Sequence, residues 1–155
     1  MSEHIAQVTW LRGPNKVFVD NQYSQGHQWQ FDGGAVVAAS SSPSFVPLPM
    51  SVENNVDPEE AFVATLSSCH MLFFLSLAAK HRWTLDLYAD NATRLMAEDD
   101  EGRLAMTQVT LYPGTHFSGK RLPTRGDTDH IHHQAHDLCF IANSVKTVVT
   151  VEPVF

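Results

Sequence analysis

The chain has 155 residues, 43% of them apolar and 17% charged, a balance that suits one domain with a buried core and argues against a disordered chain. Ten Lys and Arg stand against 17 Asp and Glu, a net charge of -7, and no basic block occurs, which argues against nucleic acid as the main partner.

The opening residues, MSEHIAQVTW, lack the charged start and apolar centre of a signal peptide. Residues 5 to 38 read as strands: AQVTW and KVFVD alternate apolar and polar positions, and HQWQF and AVVAA flank the turn residues Asp32, Gly33 and Gly34 as a hairpin would. Ser40 to Val56 is rich in Ser and Pro and reads as a loop lying on the fold or on a partner chain. Asp57-Pro58-Glu59-Glu60 is a helix start, with a cap, a proline at the first position and carboxylates at the positive end of the dipole. The helix should run to Lys80 or His81. It is apolar nearly all round, so it should be buried on most faces, and a chain this short needs a second subunit to cover it. Its apolar run from Met71 to Ala79 is far too short to span a bilayer. Leu85 to Glu98 and Arg103 to Tyr112 read as a strand pair around residues 99–102, and Pro113 to Arg125 as a loop. Asp127 to about Leu138 reads as a second helix capped by Asp127 or Thr128, CFIANS as its continuation or a short separate helix, and Lys146 to Glu152 as a last strand. The order of strands, helix, strands, helix and strand predicts an α+β fold in a single domain over residues 1–155.

These readings point to a soluble, cytoplasmic protein without a membrane partner. In that compartment two cysteines rest as thiols, and a disulfide between them is more often transient and catalytic than structural. They are not spaced as CxxC. Cys69 sits mid-helix, far from the dipole end that activates thiols elsewhere. It is either a small core residue or a thiol made reactive by a cation, most naturally an arginine. Glu59 lies ten residues earlier on the same helix, too far for direct contact, though an arginine could bridge part of the gap. His132, His136 and Cys139 are spaced to share one helix face, with His130 and His133 beside them. That cluster is a solvated polar face or a metal site, with His136, Cys139, Cys69 and His70 as the alternative ligands. No spacing matches a standard zinc motif.

The pair of segments DPEEAFVATLSSCHMLFFLSLAAKH (Asp57 to His81) and AHDLCFIANSVKT (Ala135 to Thr147) resembles the OsmC/Ohr family, and the resemblance runs through nearly the whole chain. It implies antiparallel sheets wrapped around long central helices in an intertwined homodimer. It further implies cysteine-dependent reduction of organic hydroperoxides, as a defence against oxidative or osmotic stress. By the same resemblance Cys69 is the peroxidatic cysteine, Cys139 the resolving one and Glu59 the partner of a thiolate-contacting arginine, for which Arg12 in WLRG is the best placed. The cycle needs no metal, haem or flavin, only an external dithiol, a lipoyl protein in the family. Phe45, Met71 and Phe73 are the expected apolar substrate contacts. Phe140 follows the second cysteine where well-studied branches have proline, and His70 follows the first, so the sequence resembles an OsmC-related branch more than a standard Ohr.

Overall fold

The computed structural model describes residues 1–155 and divides into two compact units, Met1–Phe62 and Val63–Phe155. In the first unit, β1 (Ala6–Thr9), β2 (His27–Phe31) and β3 (Val36–Ala39) form an antiparallel meander in that order. Val8 lies opposite Trp29, and Trp29 opposite Val37. The β2–β3 turn closes at Gly34, whose φ of 88° suits a residue without a Cβ. KVFVD, expected as a strand, is not one. Phe18 instead stacks on Tyr23 with ring centroids 4.7 Å apart, and Trp10 packs edge-on to Tyr23 at 5.5 Å. Aromatic packing here overrides a short alternating pattern. The Ser/Pro-rich loop is held by its polar groups: Val52 N–H donates to Ser40 Oγ, Asn55 Nδ2 to the Ala39 carbonyl, and Ser40 N–H to the Val56 carbonyl.

Helix α1 spans Pro58–Lys80. It starts as its sequence dictates: Glu60 N–H donates to Asp57 Oδ1 at 2.7 Å, and Asp57 N–H to Glu60 Oε2 at 3.3 Å, a reciprocal cap. The turn that stops it lies just beyond, at Arg82, which takes φ 61°, while Trp83 N–H reaches back to the Ala78 carbonyl and Arg82 N–H to that of Ala79. By length and composition α1 would also suit a membrane, a test that apolar core helices pass as well.

In the second unit, β4 (Thr84–Asp90) pairs antiparallel with β7 (Pro113–Ser118), while β6 (Leu104–Leu111) lies between β5 (Thr93–Glu98), antiparallel, and β8 (Val148–Val151), parallel. The expected single strand Leu85 to Glu98 is therefore two strands, which break at residues 91–92 and join different sheets. The expected loop Pro113 to Arg125 contains β7; Pro113 opens that strand, where its missing N–H costs no ladder bond. Helix α2 spans Arg125–Leu138. Its cap is Thr124 rather than Asp127 or Thr128: Thr124 Oγ1 accepts from Asp127 N–H at 3.1 Å, and Asp127 Oδ2 accepts from Thr124 N–H at 2.8 Å. CFIANS leaves α2 at Cys139 and makes a separate 3-10 turn, Ala142–Ser144. Phe74, Ala78 and Trp83 pack with Ile131 and Ala135 of α2 to form the core, and Tyr88 and Phe117 close it from β4 and β7. Fold class is α+β, as the element order predicts.

Candidate active site

Both cysteines lie in the second unit, buried and unbridged. Cys69 comes from the middle of α1, and Cys139 caps the C-terminus of α2. Ser67, two residues before Cys69, donates its hydroxyl to Asp90 Oδ2, while Asp90 Oδ1 accepts from Tyr112 N–H at 2.7 Å, so one β4 carboxylate ties α1 to the strands. Burial and a side-chain hydrogen bond to Cys69 push the Cys139 thiol up to about 11, and Ala142 N–H points at its sulfur from 3.5 Å. Near neutral pH Cys139 therefore keeps its proton, with Cys69 as the neighbouring thiol. A two-electron oxidant acting on one of two neighbouring thiols lets the other displace the oxidised group and form a disulfide.

One step along the same pair of helices is a layer of imidazoles. His70 Nε2 and His132 Nδ1 share a hydrogen bond of 3.0 Å, and Phe74 stacks on His132 with centroids 4.2 Å apart. Burial first, then the neighbouring His136, lowers His70 to about 4; burial, then His70, lowers His132 to about 3. Both rings are thus neutral at pH 7. Tyr88, 6.5 Å from His132 between centroids, stays protonated, raised by burial and by Asp90. The alternative grouping of His70 and His136 with the cysteines as metal ligands does not form: no three His, Cys, Asp or Glu side chains converge on a metal position. His70 turns to His132 instead, a pairing across 62 residues that no local spacing signals.

The other site residues are distributed as follows. Phe73 packs edge-to-face on Phe140 at 5.6 Å, beside Cys139, and Met71 is half-buried on α1. Arg12, Phe45 and Glu59 belong to the first unit. There Glu59 Oε2 is buried without a partner, Phe45 is half exposed, and Arg12 is exposed with Nη1 on the Lys16 carbonyl at 2.5 Å. Arg12 and Glu59, expected to pair, make no ion pair within this chain.

The OsmC-like protein family model matches residues 52–154. The chain belongs to the OsmC-like family. An OsmC-like protein of unknown function from Vibrio cholerae O1 biovar eltor is 54% identical, with 99% of this chain and 100% of that one covered and a TM-score of 0.98. Two organic hydroperoxide resistance proteins share the fold at low identity. The one from Elizabethkingia anophelis is 14% identical, with 99% and 94% covered and a TM-score of 0.69. The one from Bacillus subtilis is 17% identical, with 97% and 98% covered and a TM-score of 0.64. No curated protein sequence matches.

Proposed function

We propose that this OsmC-like protein reduces organic hydroperoxides through Cys69 and Cys139. The observation that supports the reading is the thiol pair itself: two buried, unbridged cysteines, one from the middle of α1 and one at the end of α2, near enough for Cys69 to raise the Cys139 thiol. The Cys69 thiolate attacks a peroxide oxygen, the O–O bond breaks, and Cys69 becomes a sulfenic acid while the alkoxide takes a proton and leaves as alcohol. Cys139 then condenses with the sulfenic acid, forming the disulfide and water. An external dithiol, such as a protein-bound lipoyl group, returns both thiols and is itself oxidised to a disulfide. Arg12 is the proposed cation at the thiolate and the developing oxyanion, and the unpartnered Glu59 Oε2 is the proposed anchor for its guanidinium. Phe45, Met71 and Phe73 supply the proposed apolar substrate contacts, favouring alkyl or aromatic hydroperoxides over hydrogen peroxide.

A homodimer fits this reading. Thr65, Ser68, Leu72, Leu75 and Ala79 are exposed along one line of α1 at alternating three- and four-residue steps, a stripe a second helix would cover. The proposed setting is a cytoplasmic stress response.

The deciding experiment mixes reduced, metal-free protein with a slight excess of an organic hydroperoxide, with and without a dithiol, and follows peroxide loss and intact mass. Rapid loss with a mapped Cys69–Cys139 disulfide is expected. Two persistent thiols and undiminished peroxide would overturn the proposal.

A further inference from the structure

Three ring nitrogens in the second unit lack a hydrogen-bond partner: His70 Nδ1, His132 Nε2 and His136 Nδ1. Buried polar atoms of this kind are uncommon, and each calls for an explanation such as a bound ion or water. Two of these rings, His132 and His136, lie one turn apart on α2 and line the same cleft of about 320 Å³, together with Asp129, His133, Val149 and Val151. His132 is only 3% exposed. Its Nδ1 is engaged by His70, so Nε2 is the nitrogen left over. A histidine oriented through one nitrogen by an outer partner, with the other nitrogen free, is the arrangement that metal-binding histidines use. Two imidazoles at i and i+4 on one helix face can grip a single ion.

We propose that His132 and His136 anchor a first-row divalent cation of the zinc, nickel or copper type in this cleft, with Asp129 as a neighbouring carboxylate. The donor set decides the class: imidazole suits these metals, whereas magnesium or calcium would need several oxygens, and the cleft offers one carboxylate. No three donors converge on one position, so water would take the coordination positions that the two imidazoles leave. The cleft has room for those waters. His70 is a positioning residue here, holding the His132 ring through its far nitrogen. The thiols stand in the adjacent layer and are not ligands in this site, which separates it from any zinc bound by the cysteines themselves.

The test titrates full-length, chelator-stripped protein with Ni²⁺, in parallel with the Cys69→Ser/Cys139→Ser double variant. Binding is followed by calorimetry, and a Cu²⁺-loaded sample is examined by electron paramagnetic resonance. Saturable binding is expected in both proteins, with nitrogen couplings from two imidazoles in the copper spectrum. His136→Asn, at a half-buried position, should weaken binding at least about tenfold, and His70→Gln by about 10- to 100-fold, with circular dichroism unchanged. Absence of saturable binding, loss of binding in the double cysteine variant, or unchanged affinity in His136→Asn would each overturn the proposal. Because His136 is not in the core, its variant keeps the test decisive even where substitution of His132 prevents folding.

Discussion

The α1–α2 contact carries two polar layers side by side, one of sulfur and one of imidazole, and they solve burial differently. Cys69 and Cys139 are neighbours, and Ala142 N–H points at the Cys139 sulfur. Thiols are weak hydrogen-bonding groups, so burying them costs little. His70 and His132 also pair, but each ring keeps one nitrogen without a partner. The two layers thus differ in what they hold in reserve. The sulfur layer can change by forming one covalent bond within itself, whereas the imidazole layer can be completed only by something added: a proton, a water or an ion.

Substituting the sulfurs gives the largest expected effect. Cys69→Ser should abolish peroxide consumption, because a hydroxyl at that position is not ionised near neutral pH. Cys139→Ser should allow one turnover and then stall, with a sulfenic acid on Cys69 detectable by mass. Continued dithiol-driven turnover in Cys139→Ser would mean that the second sulfur has no role in resolution. Arg12→Ala comes next, with the rate of peroxide loss falling about 10²-fold, the usual scale for removing one group that stabilises a developing oxyanion. An unchanged rate would remove Arg12 from the proposed site and direct attention to Arg82 and Arg94. None of these three changes should alter Ni²⁺ affinity, since the imidazole layer is left intact.

The imidazole layer responds to pH. Its rings have folded values lowered from 6.5 to about 4 for His70 and about 3 for His132. As pH falls below 6.5, the unfolded chain takes up protons that the folded protein refuses. The stabilisation is therefore complete above about pH 6.5 and is lost as pH falls towards about 4, by up to about 1.4 kcal/mol per pH unit for each ring. His136 beside His70 and Tyr88 beside His132 add no compensating negative charge. Urea unfolding of metal-free protein between pH 7 and pH 5 should show the midpoint falling with pH, in a range where ordinary carboxylates remain ionised. A flat midpoint would mean that the pair is solvated or shares its protons with another group. Added Ni²⁺ should raise the midpoint near pH 7, and the increment should shrink on acidification.

How much of this the sequence discloses depends on the range of the interactions. Helix α1 is legible because its signals are local: Asp57, Pro58 and the two glutamates write its start, and its apolar run continues to Lys80. The start of α2 is misread by a few residues because aspartate and threonine are both good caps. Only the reciprocal Thr124–Asp127 bonds reveal which position serves, with Asp127 as the partner three residues inside. The segment Pro113–Ser118 reads as loop because Pro and Gly dominate its start, yet pairing with β4 makes it a strand. The cysteines and Glu59 stand out by motif. His132 is visible only as part of a polar helix face, because its partner His70 lies on another helix and neither residue's local spacing specifies the pairing.

The smallest expected effect comes from a change that treats both layers alike. Thr124→Ala removes the side-chain acceptor for Asp127 N–H and one arm of the cap on α2, the helix that carries both Cys139 and His132. Loss of such a cap costs about 1 kcal/mol. The cap stands at the opposite end of α2 from Cys139, and no side chain in either layer changes. Stability should therefore drop by that amount between pH 7 and pH 5, where the Asp127 carboxylate that Thr124 also donates to is ionised, leaving the slope in that range, the rate of peroxide loss and the affinity for Ni²⁺ as they are in the unaltered protein. A drop confined to acid would show that the cap is coupled to the imidazole pair. Slower disulfide formation without a change in metal affinity would show that α2 positions the sulfur more tightly than the ring. In either case the two layers would respond unequally to a perturbation of the element they share.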